Sequence, residues 1–209
     1  MTAKPDVENL PPGTLAKEDE GDDADFYAMP RLVTHIDDGA IELLKAFYRR
    51  TLPAGGGLVD LMSSWVSHLP EEIVYRSVVG HGLNPQELAA NPRLTRWFLQ
   101  DLNRNTVLPM GDGATDAAMI CVGVQYLQQP ITVLEEVRRV LKPGSPLVIS
   151  FSNRCFPTKA VAVWRALDGH GHARLIDFYL RGAGFDKVET HILESGARGD
   201  PMTVVVGRS

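Results

Sequence analysis

The sequence predicts an α/β fold, a doubly wound and mostly parallel seven-stranded sheet that ends in an antiparallel hairpin. Short apolar runs alternate with segments of helical period along most of the 209 residues, which is typical of a parallel sheet covered by helices on both faces. Polar residues follow the first predicted strands, and such sheets bind ligands outside the carboxyl ends of their strands. The last two predicted strands are separated by a short loop, which indicates a hairpin.

Charge and composition divide the chain into residues 1–24, a predicted disordered acidic tail, and residues 25–209, one folded domain. Residues 1–25 carry a net charge of −6, whereas the whole chain carries −5. The remaining residues therefore have a net charge of +1 and are close to neutral. The first 24 residues are rich in Pro, Gly and acids and poor in large apolar side chains, so burial cannot offset the loss of chain entropy. An acidic interaction arm remains the alternative.

The expected partners and compartment follow from the same composition. The nearly neutral domain lacks the clustered Lys and Arg that nucleic-acid binding needs. Cys121 and Cys155 are expected to be reduced thiols. Neither a signal peptide nor a membrane-spanning stretch is recognisable. We therefore expect a cytoplasmic monomer or homodimer that contacts neither nucleic acid nor membrane.

The first half begins with a helix. Asp37 and Asp38 precede an apolar stripe of helical period that ends near Thr51, before Pro53 and three glycines. Strands are predicted at 58–62 and 77–80, followed by a helix from about residue 85. A third strand should lie just before Asp101, although residues 94–102 fit a helical period equally well.

The second half has clearer boundaries. Its predicted strands are 117–124, 146–151, 187–193 and 202–206, and its predicted helices are 131–141, 158–167 and 173–181. Residues 142–145 form a turn before the strand at 146. Gly182 and Gly184 are expected to end the last helix. Residues 194–201 are short enough to be the hairpin loop.

Three stretches carry a family resemblance. The run from Leu108-Pro109 through Thr115-Asp116-Ala117, Tyr126-Leu127 and Pro130 to Leu134–Gly144 resembles class I S-adenosylmethionine-dependent methyltransferases. Ser63–Pro70 (SSWVSHLP) and Phe151–Ala160 (FSNRCFPTKA) are similar to a type 11-like subgroup of these enzymes from bacteria and plants. The resemblance covers roughly residues 26–206 and implies a Rossmann-like methyltransferase fold, S-adenosylmethionine as cofactor and methyl transfer to a small-molecule acceptor.

The resemblance also shows where the cofactor site departs from the family. Met62, Ser64 and Val66 stand where the family has glycines after the acidic residue Asp60. Gly82 stands where an acid normally binds the ribose, with Asn84 two residues on, whereas Asp101 keeps the position that binds the adenine amino group. The predicted cofactor-binding residues are Asp60, Met62, Ser63, Ser64, Trp65, Gly82, Asn84, Asp101, Leu102 and Cys121.

Two interpretations of this departure remain open. Either the cofactor pocket is remodelled, or the chain has lost the cofactor and acts as a non-catalytic binding or interaction module. In the first case the protein mainly positions the acceptor, and a histidine can serve as general base. His68 is the first candidate, with a capping role as its alternative, and His35 is the second. Tyr27, Asn153 and Arg154 are predicted to face the acceptor, and Arg154 suits a carboxylate or phosphate unless it only ties the rim together.

Other chemistries lack their signatures. His170 and His172 have a chelating spacing without a third ligand nearby, so no metal is expected. No Gly-x-Gly-x-x-Gly turn follows the first strand, and no Gly-x-Ser-x-Gly elbow is found. His81, at the end of the second strand, is expected to be structural.

Overall fold

The computed structural model describes residues 10–193 and 199–208. The strands form one seven-stranded sheet in the order β3-β2-β1-β4-β5-β7-β6. Strands β3, β2, β1, β4 and β5 are parallel, and β7 is antiparallel to both β5 and β6. The predicted fold class is confirmed. The strands are β1 Gly57–Leu61, β2 Ser77–Gly82, β3 Arg96–Leu99, β4 Ala117–Cys121, β5 Pro146–Phe151, β6 Lys187–Leu193 and β7 Met202–Arg208.

Helices cover both faces of the sheet. The carboxylate of Asp37 caps α2 by accepting from the Ala40 N–H at 2.8 Å, as its position predicts. Leu44 of α2 is buried on one face, and Val137 of α4 is buried on the other. The helices are α1 Asp23–Phe26, α2 Asp38–Thr51, α3 Pro85–Ala90, α4 Pro130–Val140, α5 Ala162–Arg165 and α6 Gly169–Gly182. None of the helices among the described residues is long and apolar enough to cross a membrane.

The connection from β1 to β2, residues 62–76, contains no helix, all of it within the described chain. Parallel strands are usually joined through a helix. Here the first part of the connection is a turn, residues 62–68, in which Met62 and His68 both have positive φ, at 55° and 52°. The side chain of Asn91 holds this turn, since it donates to the Ser64 carbonyl and to the Ser67 hydroxyl, each at 2.9 Å.

The N-terminal segment differs from the predicted disorder. Residues 10–26, here called the strap, lie against the domain, while residues 1–9 are outside the described part. Lys159 is 1% exposed, and its Nζ donates to the carbonyls of Asp19 and Gly21 and lies 3.2 Å from a carboxylate oxygen of Asp23. Lys17 pairs with the same Asp23. Composition indicates only that the strap cannot make a core, whereas the structure shows two buried lysines, Lys17 and Lys159, paired with the buried Asp23 of the strap.

The strap also explains a helix that is shorter than predicted. Only Ala162–Arg165 of the predicted helix 158–167 is helical. The N–H groups of Ala162 and Val163 donate to carbonyls of the strap at 2.9 and 3.0 Å. Residues 158–161, which include Lys159, also contact the strap. The backbone of this segment therefore bonds to the strap instead of forming the first turns of a helix.

Other boundaries move for local reasons. β4 ends at Cys121, not at Val124, because Val122 has a positive φ of 44° and residues 124–126 form a 3-10 turn. α6 begins at Gly169 and not at Ala173, because Asp168 caps the Gly171 N–H at 2.8 Å. Residues 96–99 pair with β2, so the strand and not the alternative helix is present before Asp101. Part of the predicted hairpin loop, residues 194–198, lies outside the described residues.

Candidate functional site

A cavity of about 620 Å³ opens at the carboxyl ends of β1, β2, β3 and β4. The turn 62–68, the end of the strap, residues 31–37 and residues 154–156 form its walls. The predicted site residues that line it are Tyr27, His35, Asp60, Met62, Ser63, Ser64, His68, Gly82, Asn84, Asp101, Leu102, Cys121 and Arg154. Trp65 and Asn153 are not among the lining residues.

Asp60 holds the turn from inside. It is 3% exposed, and one of its oxygens accepts from the hydroxyls of Ser63 and Ser67, both at 2.6 Å. Burial raises the pKa of Asp60 to about 6, against the lowering effect of the two hydroxyls. Asp60 therefore supports the turn from inside through two serine hydroxyls.

His81 fastens the same turn to the neighbouring strand. Its Nδ1 accepts from the Met62 N–H at 3.0 Å, which leaves Nε2 to donate to the Gln100 carbonyl at 2.8 Å. Burial lowers the pKa of His81 to about 4, so the ring is neutral at pH 7. This geometry agrees with the structural role that the sequence suggests.

Asn84 is fully engaged in holding backbone. Its Oδ1 accepts from the N–H groups of Gln86 and Glu87, and its Nδ2 donates to the carbonyls of Tyr27 and Ala28 at 2.8 and 3.1 Å. A ribose contact from Asn84 would require one of these bonds to break. Asn84 caps α3 and attaches the two residues that directly follow the strap, Tyr27 and Ala28.

Trp65 has a comparable fastening role outside the cavity. Its Nε1 donates to the Val33 carbonyl at 3.0 Å, which joins the turn to residues 30–35. This predicted cofactor-binding residue thus lies outside the cavity lining.

Asp101 lies at the opposite end of the cavity from the β1 turn. Its carboxylate accepts from the Asn103 N–H at 2.8 Å and is 3.7 Å from Arg104 Nε. Asn103 in turn donates to Asp23 of the strap at 3.0 Å. Asp101, the predicted adenine-binding residue, is thereby linked to the strap through Asn103, whose backbone N–H bonds to Asp101 and whose side-chain amide bonds to Asp23.

The two candidate bases face the cavity without a fixed partner. Neither His35 nor His68 makes a hydrogen bond to any residue that the structure describes. Burial lowers the pKa of His68 to about 4, helped by the charges of Lys45 and His35, and burial also lowers the pKa of His35. Both rings are therefore neutral at pH 7, and either can accept a proton.

Aromatic side chains form an apolar wall beside these histidines. The ring of Phe156 lies 5.5 Å from that of His35 and 6.2 Å from that of Tyr27. The guanidinium of Arg31 lies 4.6 Å from the Phe26 ring centre and 5.2 Å from that of Phe156, so cation–π attraction holds it there. No local sequence pattern indicates this cluster, because its members come from distant segments.

The rim residues differ in their commitments. Arg154 is 61% exposed at its side chain, and its Nε donates to Asp200 at 2.9 Å. Its two Nη groups donate to none of the described residues. Asn153 is exposed on the surface outside the cavity. Cys121 lines the cavity, but burial raises its thiol pKa to about 12, so it is not a thiolate at neutral pH.

Metal ligands do not converge in the part of the chain that is described. No group of three or more His, Cys, Asp or Glu side chains there could hold a metal ion. His172 is instead stacked on Trp164 with ring centres 3.7 Å apart, and its Nε2 lies 2.7 Å from the Trp164 carbonyl.

Glu87 is a buried acid that lines the cavity and is not among the predicted site residues. It is 7% exposed and accepts from the Ser64 hydroxyl at 2.7 Å and from the Arg31 N–H at 2.6 Å. Its place in the first turn of α3, three residues after the cap Asn84, is typical of a capping residue. Nothing in the local sequence therefore indicates that it faces a ligand cavity.

Comparison with known proteins gives matches in sequence and in fold. A family model described as "Methyltransferase domain" matches residues 61–149. A malonyl-[acyl-carrier protein] O-methyltransferase from Methylococcus capsulatus is 29% identical over 87 residues, which is 39% of this chain and 32% of that protein. The chain thus matches about a third of the length of this curated relative.

Solved structures share the fold at low identity. A chain of the complex between the Haloferax volcanii Trm112 methyltransferase activator and the putative methyltransferase has a TM-score of 0.63 and 17% identity, over 82% of this chain and 90% of that one. A SAM-dependent methyltransferase from Aquifex aeolicus has a TM-score of 0.57 and 16% identity, over 81% and 90% of the two chains.

Proposed function

We propose that this chain, whose residues 61–149 match a methyltransferase domain model, transfers a methyl group from S-adenosylmethionine to a small-molecule acceptor. The observation that carries the proposal is the cavity at the carboxyl ends of β1 to β4, which is lined by the acidic side chains of Asp60, Glu87 and Asp101 and by the neutral rings of His35 and His68. A cytoplasmic location and a monomeric or homodimeric state belong to the same proposal.

The lining residues fit the cofactor chemically. Its adenine amino group, ribose hydroxyls and ammonium group are hydrogen-bond donors, and Asp60, Glu87 and Asp101 offer acceptors. Leu102 and Leu127 supply apolar surface for the adenine ring. The volume of about 620 Å³ lies within the range of small-molecule sites.

Bound there, the cofactor supplies an electrophilic methyl group on a sulfonium. The chain contributes alignment of the acceptor and exclusion of water, since an in-line displacement needs little else. His68 or His35 would take the proton of an acceptor hydroxyl or thiol. His68, with a pKa of about 4, is a weak base. His35 is therefore an equal candidate for the general base. The Nη groups of Arg154, which donate to none of the described residues, suit an acceptor with a carboxylate or phosphate.

A non-catalytic binding module is the second candidate, and one observation favours it. A Cβ placed on Gly82 would lie 2.6 Å from the Ser63 carbonyl oxygen, so the turn occupies space where a side chain could otherwise contact a cofactor. This candidate keeps the fold and a ligand cavity without methyl transfer.

Calorimetric titration with S-adenosylmethionine and S-adenosylhomocysteine separates the two candidates. Asp101→Asn keeps the acceptor for the Asn103 N–H while removing the charge, so the loop is preserved. Micromolar binding by the wild type that weakens about tenfold or more in this variant would support the transferase. Absence of binding at millimolar cofactor would favour the non-catalytic module, and equal binding by both proteins would overturn the adenine placement.

A further inference from the structure

The end of β2 has no side chain at Gly82 and no room for one. The Ser63 carbonyl is 2.6 Å from the position of a Cβ on Gly82. Two hydrogen bonds fix the turn there, from the Met62 N–H to His81 Nδ1 at 3.0 Å and from the Ser63 N–H to the His81 carbonyl at 2.7 Å. Any carboxylate that serves a ligand at this edge must therefore come from another position.

Glu87, in the first turn of α3, brings a carboxylate to this edge of the sheet. The turn that blocks Gly82 continues to Ser64, whose hydroxyl donates to Glu87 Oε2 at 2.7 Å. The Arg31 N–H donates to the other oxygen, Oε1, at 2.6 Å. A carboxylate has about four acceptor sites, so each oxygen keeps one for a ligand in the cavity.

Three other carboxylates of the cavity have a cation nearby, whereas Glu87, like Asp60, has none among the described residues. Asp23 pairs with Lys17, Asp101 lies 3.7 Å from Arg104, and Asp200 pairs with Arg154. Among the described residues, no Lys, Arg or His lies within ion-pair distance of Glu87. Its charge is held only by two neutral donors, although the residue is 7% exposed. A ligand with hydrogen-bond donors would complete its shell.

The sheet order indicates which part of the cofactor lies there. β2 lies between β3 and β1 in the order β3-β2-β1. The resemblance implies the adenine beside Asp101, which follows β3, and the amino-acid part of the cofactor beside the turn 62–68, which follows β1, so Glu87 lies between these two expected ends. The ribose is the middle part of the cofactor, and its two adjacent hydroxyls can each donate to one oxygen of a carboxylate.

We propose that Glu87 binds the ribose hydroxyls of the cofactor and takes over the role that Gly82 cannot fill. The inference rests on the proposed function, because it presumes that an adenosyl compound occupies the cavity. An acidic residue that accepts from ribose hydroxyls is a general feature of nucleotide-binding α/β sheets. In this chain the carboxylate reaches the site from the helix, and the Ser64 hydroxyl orients it.

The test measures whether Glu87 and the ribose hydroxyls depend on each other. Dissociation constants are measured by calorimetry for S-adenosylhomocysteine and for its 2′-deoxy and 3′-deoxy analogues, with wild type, Glu87→Gln and Asp101→Asn. In the wild type, removal of a hydroxyl should weaken binding about tenfold. In Glu87→Gln this ratio should fall to about twofold or less, whereas Asp101→Asn should weaken all three ligands by a similar factor.

Each outcome has a separate meaning. An unchanged deoxy ratio in Glu87→Gln overturns the inference and leaves the proposed function standing. Failure of the wild type to bind S-adenosylhomocysteine at millimolar concentration overturns the proposed function, and the inference with it. Glu87→Asp keeps the charge and withdraws it by one methylene, so it should give an intermediate ratio. If Glu87→Gln does not fold, an undiminished ratio in Glu87→Asp overturns the inference.

Discussion

His81 joins the ends of three strands through one neutral ring, and this makes the fold sensitive to acid. Its pKa of about 4 lies below the unfolded value near 6.5. The unfolded chain therefore takes up a proton that the folded chain refuses, and stability is lost as the pH falls from about 6.5 to 4. The buried His68 acts in the same direction.

We expect His81→Gln to lose about 1–3 kcal/mol at pH 7.5, because the ring bonds to Met62 and Gln100 are disturbed. Below pH 6.5 the variant should lose less further stability than the wild type, since one of the two buried histidines is gone. Urea unfolding from pH 4.5 to 7.5 measures both effects. Parallel pH curves for the two proteins would contradict the assignment.

Asp60 acts in the opposite direction over nearly the same range. Its folded pKa of about 6 lies above the unfolded value of about 3.8, so its ionisation destabilises the folded state as the pH rises from about 4 to 6. Asp60→Asn keeps an oxygen for the hydroxyls of Ser63 and Ser67. Relative to the wild type, the variant should gain about 2 kcal/mol in unfolding free energy between pH 4 and pH 7. A wild-type-minus-variant difference that stays constant with pH would be inconsistent with a buried, ionising Asp60.

The site residues show how far local sequence reaches. Asp60 and Asp101 were identified through residues at strand ends, and both line the cavity. Glu87 was not, because its N-cap spacing predicts a capping role. Asn84 is predicted to bind the cofactor because it stands two residues after Gly82, whereas its bonds to the carbonyls of Tyr27 and Ala28 span more than 50 residues of chain and leave no local pattern. The side-chain chemistry was readable, but its competing partners were not.

At the scale of the elements, the position of the strap depends on Lys159, a buried cation from outside the strap. Lys159 is 1% exposed and faces two acids and two carbonyls of the strap. Lys159→Met leaves Asp23 with less compensation in a buried place, and we expect a loss of about 3–5 kcal/mol. Arg165→Met is the matched control, because Arg165 pairs with Glu18 of the same strap at the surface, and it should lose less than about 1 kcal/mol.

Thermal unfolding and limited proteolysis of the strap measure this pair of variants. The Lys159→Met protein should be cleaved within residues 10–26 much faster than the control. Equal cleavage rates would mean that the buried cluster does not hold the strap.

The elements that the sequence predicts correctly are those that local pattern determines. β5 and β6 have the predicted boundaries because apolar or alternating runs end at clear turns. The strap and the predicted helix 158–167 differ from expectation for one shared reason, which is that each supplies hydrogen bonds to the other across about 140 residues of sequence. No window of sequence contains that contact.

At the scale of the whole molecule, the cavity is assembled from segments spread over most of the chain. The strap contributes Asp23, the β1 turn contributes Ser64, the β3 end contributes Asp101, and the rim after β5 contributes Phe156. A ligand that contacts these segments together should reduce their opening together, since binding to the folded state alone stabilises it by about 2.7 kcal/mol at a hundredfold excess over Kd.

Hydrogen exchange with and without S-adenosylhomocysteine examines this coupling. Slower exchange is expected in residues 19–36, 62–69 and 100–104, which lie in sequence regions far apart. Residues 187–193 of β6, at the sheet edge remote from the cavity, should be unchanged except for the slowing that global stabilisation imposes on amides exchanging through complete unfolding. In Lys159→Met, protection of the strap should be lost while that of the β1 turn remains, because only the strap depends on that lysine. Protection of residues 62–69 and 100–104 without any in residues 19–36 of the wild type would mean that the strap lies outside the ligand site, and Asp23 and Tyr27 would then be removed from it.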